Sequence, residues 1–221
     1  MKERRVERVL KVLAETYPNA ECGLRFKDSF QLLIATILSA QSSDEGVNRV
    51  TLILWKSYSN CEALAEADLA VLEKIIRPLG LFRAKAKNVQ GTAKRIQKLH
   101  GGQVPPDLVS LMGCPGVGRK TAWVVLGECF QQPGIVVDTH MGRVARRLGL
   151  TQEEDPERVE AALNALVKPA ERTIFSHRAI AHGRVLCHAR KPACGACPLR
   201  NLCPFYRKEG PSPTVAGSVL A

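Results

Sequence analysis

Apolar residues recur at helical spacing along most of the chain, and the alternation typical of strands is almost absent. In the segment FQLLIATILSA, residues 30–40, apolar side chains cover nearly the whole helix circumference, which predicts a central buried helix. One-sided apolar patterns predict further helices at 45–58, 67–76, 82–99, 105–112, 119–130, 139–148, 156–167 and 171–188. Because the connections between these segments are short, we predict an all-α fold.

Capping residues mark several predicted helix ends. Asp28 and Ser29 are candidate N-caps of the central helix, and Asp44 is a candidate N-cap of the next one. The glycine pair 101–102 is a strong stop for the helix before it. The end of the chain is rich in small and polar residues, so we expect residues 206–221 to form a disordered tail.

The composition supports a core and a polyanionic partner. The chain has 221 residues, of which 45% are hydrophobic, enough for one large domain or two small ones. Its net charge is +11, which favours binding to a polyanion such as DNA. Basic residues form three clusters: residues 83–98 with six Lys or Arg and no acid, Arg143 with Arg146 and Arg147, and Arg190 with Lys191. We expect the first and third clusters to line a DNA groove.

The location of the protein is indicated by the absence of long apolar runs. None reaches the length of a membrane span, and the first residues, MKERRVERVLKVL, lack the apolar region of a signal peptide. We expect a cytoplasmic, nucleoid-associated protein with no membrane partner. Nothing in the sequence requires an oligomer, so we expect a monomer.

Four of the eight cysteines lie close together near the end of the chain. Their spacing is C-x6-C-x2-C-x5-C, formed by Cys187, Cys194, Cys197 and Cys203. Clustered thiolates in a chain of this kind favour a metal site over disulfides. The spacing alone leaves zinc and an iron–sulfur cluster open, because only one pair has the C-x2-C spacing of a zinc knuckle.

The segment GCPGVGRKTAW, residues 113–123, nearly matches a nucleotide-binding P-loop. Arg119 interrupts that motif, and the preceding residues 105–112 predict a helix rather than the strand a P-loop follows. A helix-hairpin-helix turn fits better, with backbone amides presented to a DNA phosphate at the start of the next helix. An ordinary helix–helix turn is the alternative. The candidate DNA-binding residues of this turn are Gly116, Val117, Gly118 and Arg119.

Three polar residues after this turn are candidates for chemistry. Lys120 begins the following helix, where the partial positive charge of the N-terminus favours a neutral, nucleophilic amine. A lysine that only contacts phosphate is the alternative. Asp138, in VVDTH, is a candidate N-cap whose fixed carboxylate can stabilise a sugar cation and handle a proton. His140 is a further candidate at the site, although a lone histidine is more often structural.

These segments together resemble the bacterial endonuclease III family, helix-hairpin-helix DNA glycosylases of base excision repair. The resemblance is carried by GCPGVGRKTAWVVL, VVDTH and the cysteine pattern, and also by LLIATILSAQSSD and PLGLFRAKAKNV. It spans roughly residues 25–205 and implies a [4Fe–4S] cluster held by the four clustered cysteines. It also implies two all-α lobes: a six-helix barrel with the helix-hairpin-helix, residues 22–132, and a cluster domain, residues 1–21 plus 133–205.

The resemblance also implies an activity and residue roles. Lys120 matches the lysine that forms a Schiff base, and Asp138 matches the catalytic aspartate. Gln41 matches a residue that fills the gap left by a flipped nucleotide, and Leu81 an apolar wedge. The implied enzyme removes oxidised pyrimidines from duplex DNA and cleaves the abasic site by β-elimination. A monofunctional glycosylase and a divergent, non-catalytic DNA-binding member remain alternatives.

Four positions depart from the family's usual residues. Cys114 stands in place of Leu, Trp123 in place of Asn, Phe82 in place of Tyr, and Gly142 in place of a bulkier side chain. We expect Trp123 and Phe82 to reshape the pocket or its approach.

Overall fold

The computed structural model describes residues 2–209, and no strand occurs in that part of the chain. The predicted all-α fold is therefore confirmed. The helices are α1 (Lys2–Thr16), α2 (Ser29–Leu38), α3 (Asp44–Ser57), α4 (Cys61–Ala65), α5 (Leu69–Ile76), α6 (Phe82–His100), α7 (Leu108–Met112), α8 (Arg119–Phe130), α9 (Thr139–Arg147), α10 (Pro156–Asn164), α11 (Arg172–Val185) and α12 (Pro204–Glu209).

The disordered tail was predicted to start too early. Residues 206–209 belong to α12, whose ring side chains Phe205 and Tyr206 pack against buried apolar residues. The rest of the predicted tail, residues 210–221, lies outside the described residues.

The chain divides into two compact units. The hairpin unit is Cys22–Gln132, and the cysteine unit is Met1–Glu21 with Pro133–Ala221. Each unit has its own apolar core, built mainly from Leu, Ile, Val and Ala side chains. The turn 113–118 and Lys120 belong to the hairpin unit, whereas Asp138 and the clustered cysteines belong to the cysteine unit.

The core of the hairpin unit surrounds α2. Every residue of α2 from Phe30 to Leu38 is buried, because α3, α6 and α8 pack around this helix. Its all-round apolar surface therefore reflects a central position. No helix between residues 2 and 209 combines the length and the apolar character needed to cross a membrane.

The predicted caps of the first two helices of the hairpin unit had different outcomes. Asp28 caps α2, since its Oδ1 accepts a hydrogen bond of 2.8 Å from the Gln31 N–H. The prediction for Asp44 was wrong, because Asp44 is already the first residue of α3. The cap of α3 is Ser43, which has extended backbone and accepts a hydrogen bond from the Gly46 N–H.

α6 is the longest helix of the hairpin unit and packs against α2, α4 and α5. Its buried face consists of Lys85, Ala86, Val89, Thr92, Ala93 and Ile96. The helix ends at Gly101, which adopts the left-handed conformation with φ of +57° and confirms the predicted glycine stop. A charged residue on this buried face was not predicted.

The cysteine unit is built on α11, against which α1 and α9 pack. Arg5 in α1 donates hydrogen bonds to the carbonyls of Leu148 and Gly149, which directly follow α9. These bonds fasten the first helix of the chain to a segment about 140 residues later.

We expect Asp28→Ala to lower the free energy of unfolding by about 1 kcal/mol, because the Gln31 N–H loses its cap. Chemical denaturation measures the change. Glu66→Ala, which removes an exposed carboxylate at the end of α4, is the control and should change stability by less than about 0.5 kcal/mol. Equal stability of the two variants would contradict the cap.

Candidate active site and metal centre

The turn between α7 and α8 leaves the start of α8 without a side-chain cap. Its N-cap is Gly118, which has extended backbone and no side chain to satisfy the first N–H groups of the helix. A Cβ built on Gly118 would meet nothing within 4 Å. The protein itself therefore leaves room at this glycine, and an anion is the group that a helix N-terminus favours.

The back of the turn is packed against α6. Thr92 Oγ1 donates a hydrogen bond of 2.8 Å to the Pro115 carbonyl. Gly116 has φ of +76°, and a Cβ there would lie 2.7 Å from the Asn88 side-chain nitrogen. Val117 is buried in the core between these exposed glycines. The glycine at 116 is thus required by the fold, whereas the one at 118 is not.

Lys120 is exposed at the second residue of α8, next to Arg119. Trp123 lies one turn further on and packs against the core of the hairpin unit, as does Phe82 at the start of α6. The indole Nε1 of Trp123 is buried without a hydrogen-bond partner. Two of the four departures, Trp123 and Phe82, are therefore partly buried aromatic side chains, and Lys120 is exposed one turn before Trp123.

Gln41 and Leu81 share an uncommon backbone conformation. Their φ angles are +54° and +46°, in the left-handed region that costs energy for residues with a Cβ. Both side chains are exposed, and Leu81 retains 59% of its accessible surface. A leucine that is this exposed contributes little to the core.

Asp138 in the cysteine unit is the N-cap of α9, as predicted. Its Oδ1 accepts a hydrogen bond of 2.8 Å from the Met141 N–H, and the residue is half-buried. His140 Nδ1 lies 3.1 Å from Arg143 Nη2. The histidine also packs closely against α11, where a Cβ on Gly183 would lie 2.8 Å from the His140 Cβ.

The four clustered cysteines line one cavity. Cys187, Cys194, Cys197 and Cys203 surround it together with His182, Arg147 and apolar side chains. All four are free thiols. They are spread around the cavity, and within residues 2–209 no three His, Cys, Asp or Glu side chains are grouped as the ligands of a single metal ion. Four thiols around one enclosed space are the ligand set that an iron–sulfur cluster requires.

The chemistry of these thiols also fits a cationic group. Burial raises the pKa of Cys197 to about 11, and the charges of the other three cysteines add to the rise, although the Leu199 N–H opposes it. Deprotonating all four thiols together therefore needs positive charge among them, which iron supplies. His182 is neutral near pH 7, because burial lowers its pKa to about 4.

Two arginines of the second basic cluster donate hydrogen bonds to carbonyls of the segment that begins at Cys187 and carries the other clustered cysteines, here called the cysteine loop. Arg143 donates to the carbonyls of Cys187 and Gly183. Arg147 donates to the carbonyls of His188 and Ala189 and lies 3.3 Å from Cys187 Sγ. The loop so held exposes the predicted DNA-binding pair 190–191, of which Lys191 has φ of +50°.

Sequence reasoning missed the role of Lys85. It was counted in the basic cluster 83–98 as a groove-lining residue, but it is only 4% exposed and cannot line a groove. Its Nζ donates hydrogen bonds of 2.8 Å to Ser42 Oγ and to the Leu79 carbonyl. Its position among Ala86, Val89 and the other apolar residues of one helix face was the available signal.

Comparison with known proteins gives consistent matches over most of the chain. A family model described as HhH-GPD superfamily base excision DNA repair protein matches residues 34–169, and one for the iron–sulfur binding domain of endonuclease III matches residues 187–203. Endonuclease III of Synechocystis sp. is 46% identical over 92% of this chain and 93% of its own length. Endonuclease III of Escherichia coli is 40% identical over 94% of this chain and 98% of its own.

Solved structures agree with these matches. The structure of a trapped endonuclease III–DNA covalent intermediate superimposes with a TM-score of 0.90 at 39% identity, covering 95% of this chain and 99% of that one. A thermostable thymine-DNA glycosylase superimposes with a TM-score of 0.84 at 20% identity, which shows a shared fold.

The two glycines of the turn should respond differently to alanine. Gly116→Ala should lower the free energy of unfolding by about 2 kcal/mol or more, because left-handed backbone disfavours alanine and the new Cβ would displace Asn88. Gly118→Ala should change it by less than about 1 kcal/mol, because its Cβ meets nothing and alanine is only a poorer N-cap residue than glycine. Chemical denaturation of both variants checks this, and a Gly118→Ala protein as destabilised as Gly116→Ala would contradict the open space at that position.

Proposed function

The chain belongs to the endonuclease III family of HhH-GPD base excision DNA repair proteins, and we propose that it removes oxidised pyrimidines from duplex DNA through a Schiff base on Lys120. As a member of that family it is a DNA glycosylase that also cleaves abasic sites, and it carries a [4Fe–4S] cluster. The particular substrate and the roles of individual residues are the proposal.

The observation that carries the proposal is the environment of Lys120. The amine stands at the start of a helix whose first N–H groups have no side-chain cap and whose N-cap, Gly118, is open to solvent. A DNA phosphate bound there by backbone amides, with Val117 fixed in the core, would anchor one strand without reading its sequence. Lys120 lies two residues after Gly118, so its amine is within reach of a sugar next to that phosphate.

The reaction follows from an amine meeting a sugar C1′. Lys120 Nζ attacks C1′, the bond between C1′ and the pyrimidine nitrogen breaks, and the base leaves with the bonding electrons and takes up a proton. The sugar ring then opens: O4′ leaves C1′ and takes up the proton that the attacking nitrogen released, which gives an iminium at C1′. Removal of a C2′ proton then expels the 3′ phosphate, which cleaves the strand by β-elimination. Water finally hydrolyses the imine and releases Lys120.

Asp138 supplies a carboxylate whose position is fixed by its own hydrogen bond to the Met141 N–H. We assign to this carboxylate the stabilisation of positive charge that develops on the sugar. His140, held by Arg143, contributes a polar side chain on the same helix.

Extraction of the damaged base needs side chains that enter the duplex. Leu81 supplies an exposed apolar wedge, and Gln41 an exposed amide that replaces the hydrogen bonds of the extracted nucleotide. The strained backbone of both residues holds these side chains away from the core.

The remaining features concern the cluster and the partner. The four cysteines would hold the [4Fe–4S] group, and its binding would fix the loop in which Arg190 and Lys191 are exposed and can contact phosphates. DNA is the partner expected of the family. The protein acts as a monomer on nucleoid DNA, and its substrates are oxidised pyrimidines and abasic sites.

Borohydride reduction should trap a covalent complex between the protein and a duplex that carries a thymine glycol or an abasic site. Lys120→Ala should give no adduct, because the amine that forms the imine is missing. Lys56→Ala, which removes an exposed lysine of α3, should be trapped like the original protein. An adduct that persists in Lys120→Ala would assign the nucleophile to another amine.

Gly118→Ala should weaken binding to a duplex with a stable abasic-site analogue by about tenfold or more, because a methyl group obstructs one charged hydrogen bond to phosphate. Fluorescence anisotropy at a fixed salt concentration measures the affinity. Because the same variant is expected to fold normally, an unchanged affinity would show that no DNA phosphate binds at this turn.

A further inference from the structure

One stripe of α6 contacts each part of the hairpin unit that is proposed to engage DNA. Leu81 directly precedes the helix, and Lys85, Asn88 and Thr92 follow at intervals of four, three and four residues. Such spacing places the side chains on one helix face. Asn88 and Thr92 support the turn 113–118, and Lys85 supports the loops that carry Gln41 and Leu81.

Lys85 joins these two loops through a closed set of hydrogen bonds. Its Nζ donates to Ser42 Oγ and to the Leu79 carbonyl, each at 2.8 Å. Ser42 Oγ in turn donates to the same Leu79 carbonyl at 2.7 Å. One bonded residue directly follows Gln41, and the other lies two positions before Leu81.

The bridge acts next to a glycine with left-handed backbone. Gly80, between Leu79 and Leu81, has φ of +60°, and a Cβ there would meet nothing within 4 Å. The space beside this glycine is therefore open. The hydrogen bonds to the Leu79 carbonyl act two residues before Leu81, and they add to the bond of 3.0 Å that the Leu81 carbonyl accepts from the Lys85 N–H. The bond to Ser42 Oγ holds the residue next to Gln41.

Stability alone does not account for a lysine at this position. The two recorded acceptors are neutral oxygens, and burial lowers the pKa of Lys85. A buried ammonium without a carboxylate costs free energy, and an apolar residue of similar length is often as stable or more so. A function that depends on geometry explains the lysine better.

We propose that Lys85 is a positioning residue that holds Gln41 and Leu81 at the separation and orientation needed to enter a DNA duplex. The inference rests on the proposed roles of those two side chains. It follows that Lys85 matters when a base must be extracted from a duplex. It matters little when Lys120 reacts with an abasic site in single-stranded DNA, where no base pair has to be opened.

Lys85→Met tests this inference, because methionine keeps most of the length and removes the ammonium. We expect the rate of single-turnover base release from a thymine glycol duplex to fall by about 100-fold, which is the loss that a small misplacement of reacting groups causes. Borohydride trapping on a single-stranded abasic oligonucleotide should change by less than about threefold. The denaturation midpoint should stay equal or rise.

Ser42→Ala is a second test of the Lys85 bridge. It removes one acceptor of the bridge and leaves Lys85 bonded to Leu79, so the loss on the duplex should be smaller, about tenfold. Because both residues act through one bridge, the double variant should be no slower than Lys85→Met. If Lys85→Met does not fold, the duplex-to-single-strand ratio of Ser42→Ala decides.

Three controls separate the possible failures. Lys56→Met makes the same chemical change at an exposed position and should behave like the original protein. Gln41→Ala and Leu81→Ala should lose duplex activity and retain single-strand trapping. If they do so while Lys85→Met and Ser42→Ala keep full duplex activity, the positioning role is wrong and the proposed function stands. If the unaltered protein releases no base and forms no adduct, the proposed function itself fails.

Discussion

The hydrogen bond from Thr92 to the Pro115 carbonyl, together with the contact between Gly116 and Asn88, fixes the turn before α8 against α6. The turn is thus held from behind, and its exposed glycines lie at the start of α8. α2, α3 and α9 start differently, since the side chains of Asp28, Ser43 and Asp138 each accept a hydrogen bond from a free N–H group of the first turn. The N-terminus of α8 is open because its N-cap, Gly118, has no side chain, and the two contacts with α6 hold this open end in place beside Lys120.

α6 also explains how the strained backbone of Gln41 and Leu81 persists. Gln41 and Leu81 adopt left-handed backbone, which is unfavourable for both residue types and has to be offset by surrounding contacts. The bridge from Lys85 to Ser42 and Leu79 supplies such contacts from inside the unit. Charged side chains have a comparable role in the cysteine unit, because Arg143 and Arg147 donate hydrogen bonds to carbonyls of the cysteine loop. In both units, part of the strongly basic composition serves the internal positioning of loops.

Much of the fold could be predicted from the sequence, since helical periodicity, Asp28, Asp138 and Gly101 are local signals that act within one or two turns. The choice of Asp44 over Ser43 as a cap failed because adjacent cap-forming residues differ only in backbone conformation. The buried role of Lys85 was missed for another reason. Net charge counts every lysine alike, and a partner 43 residues away along the chain is not visible in local spacing. Contacts of that range arise only from tertiary packing.

The most direct test of Lys120 as the nucleophile at an anchored strand is a crystal structure of the borohydride-reduced complex with an abasic duplex. We expect Lys120 Nζ bonded to C1′ and a phosphate oxygen about 3 Å from a backbone nitrogen of the turn 116–118. Gln41 and Leu81 should lie within the base stack, with the Lys85 bridge intact. A sugar bonded to another amine, or a strand that bypasses the turn, would contradict this assignment.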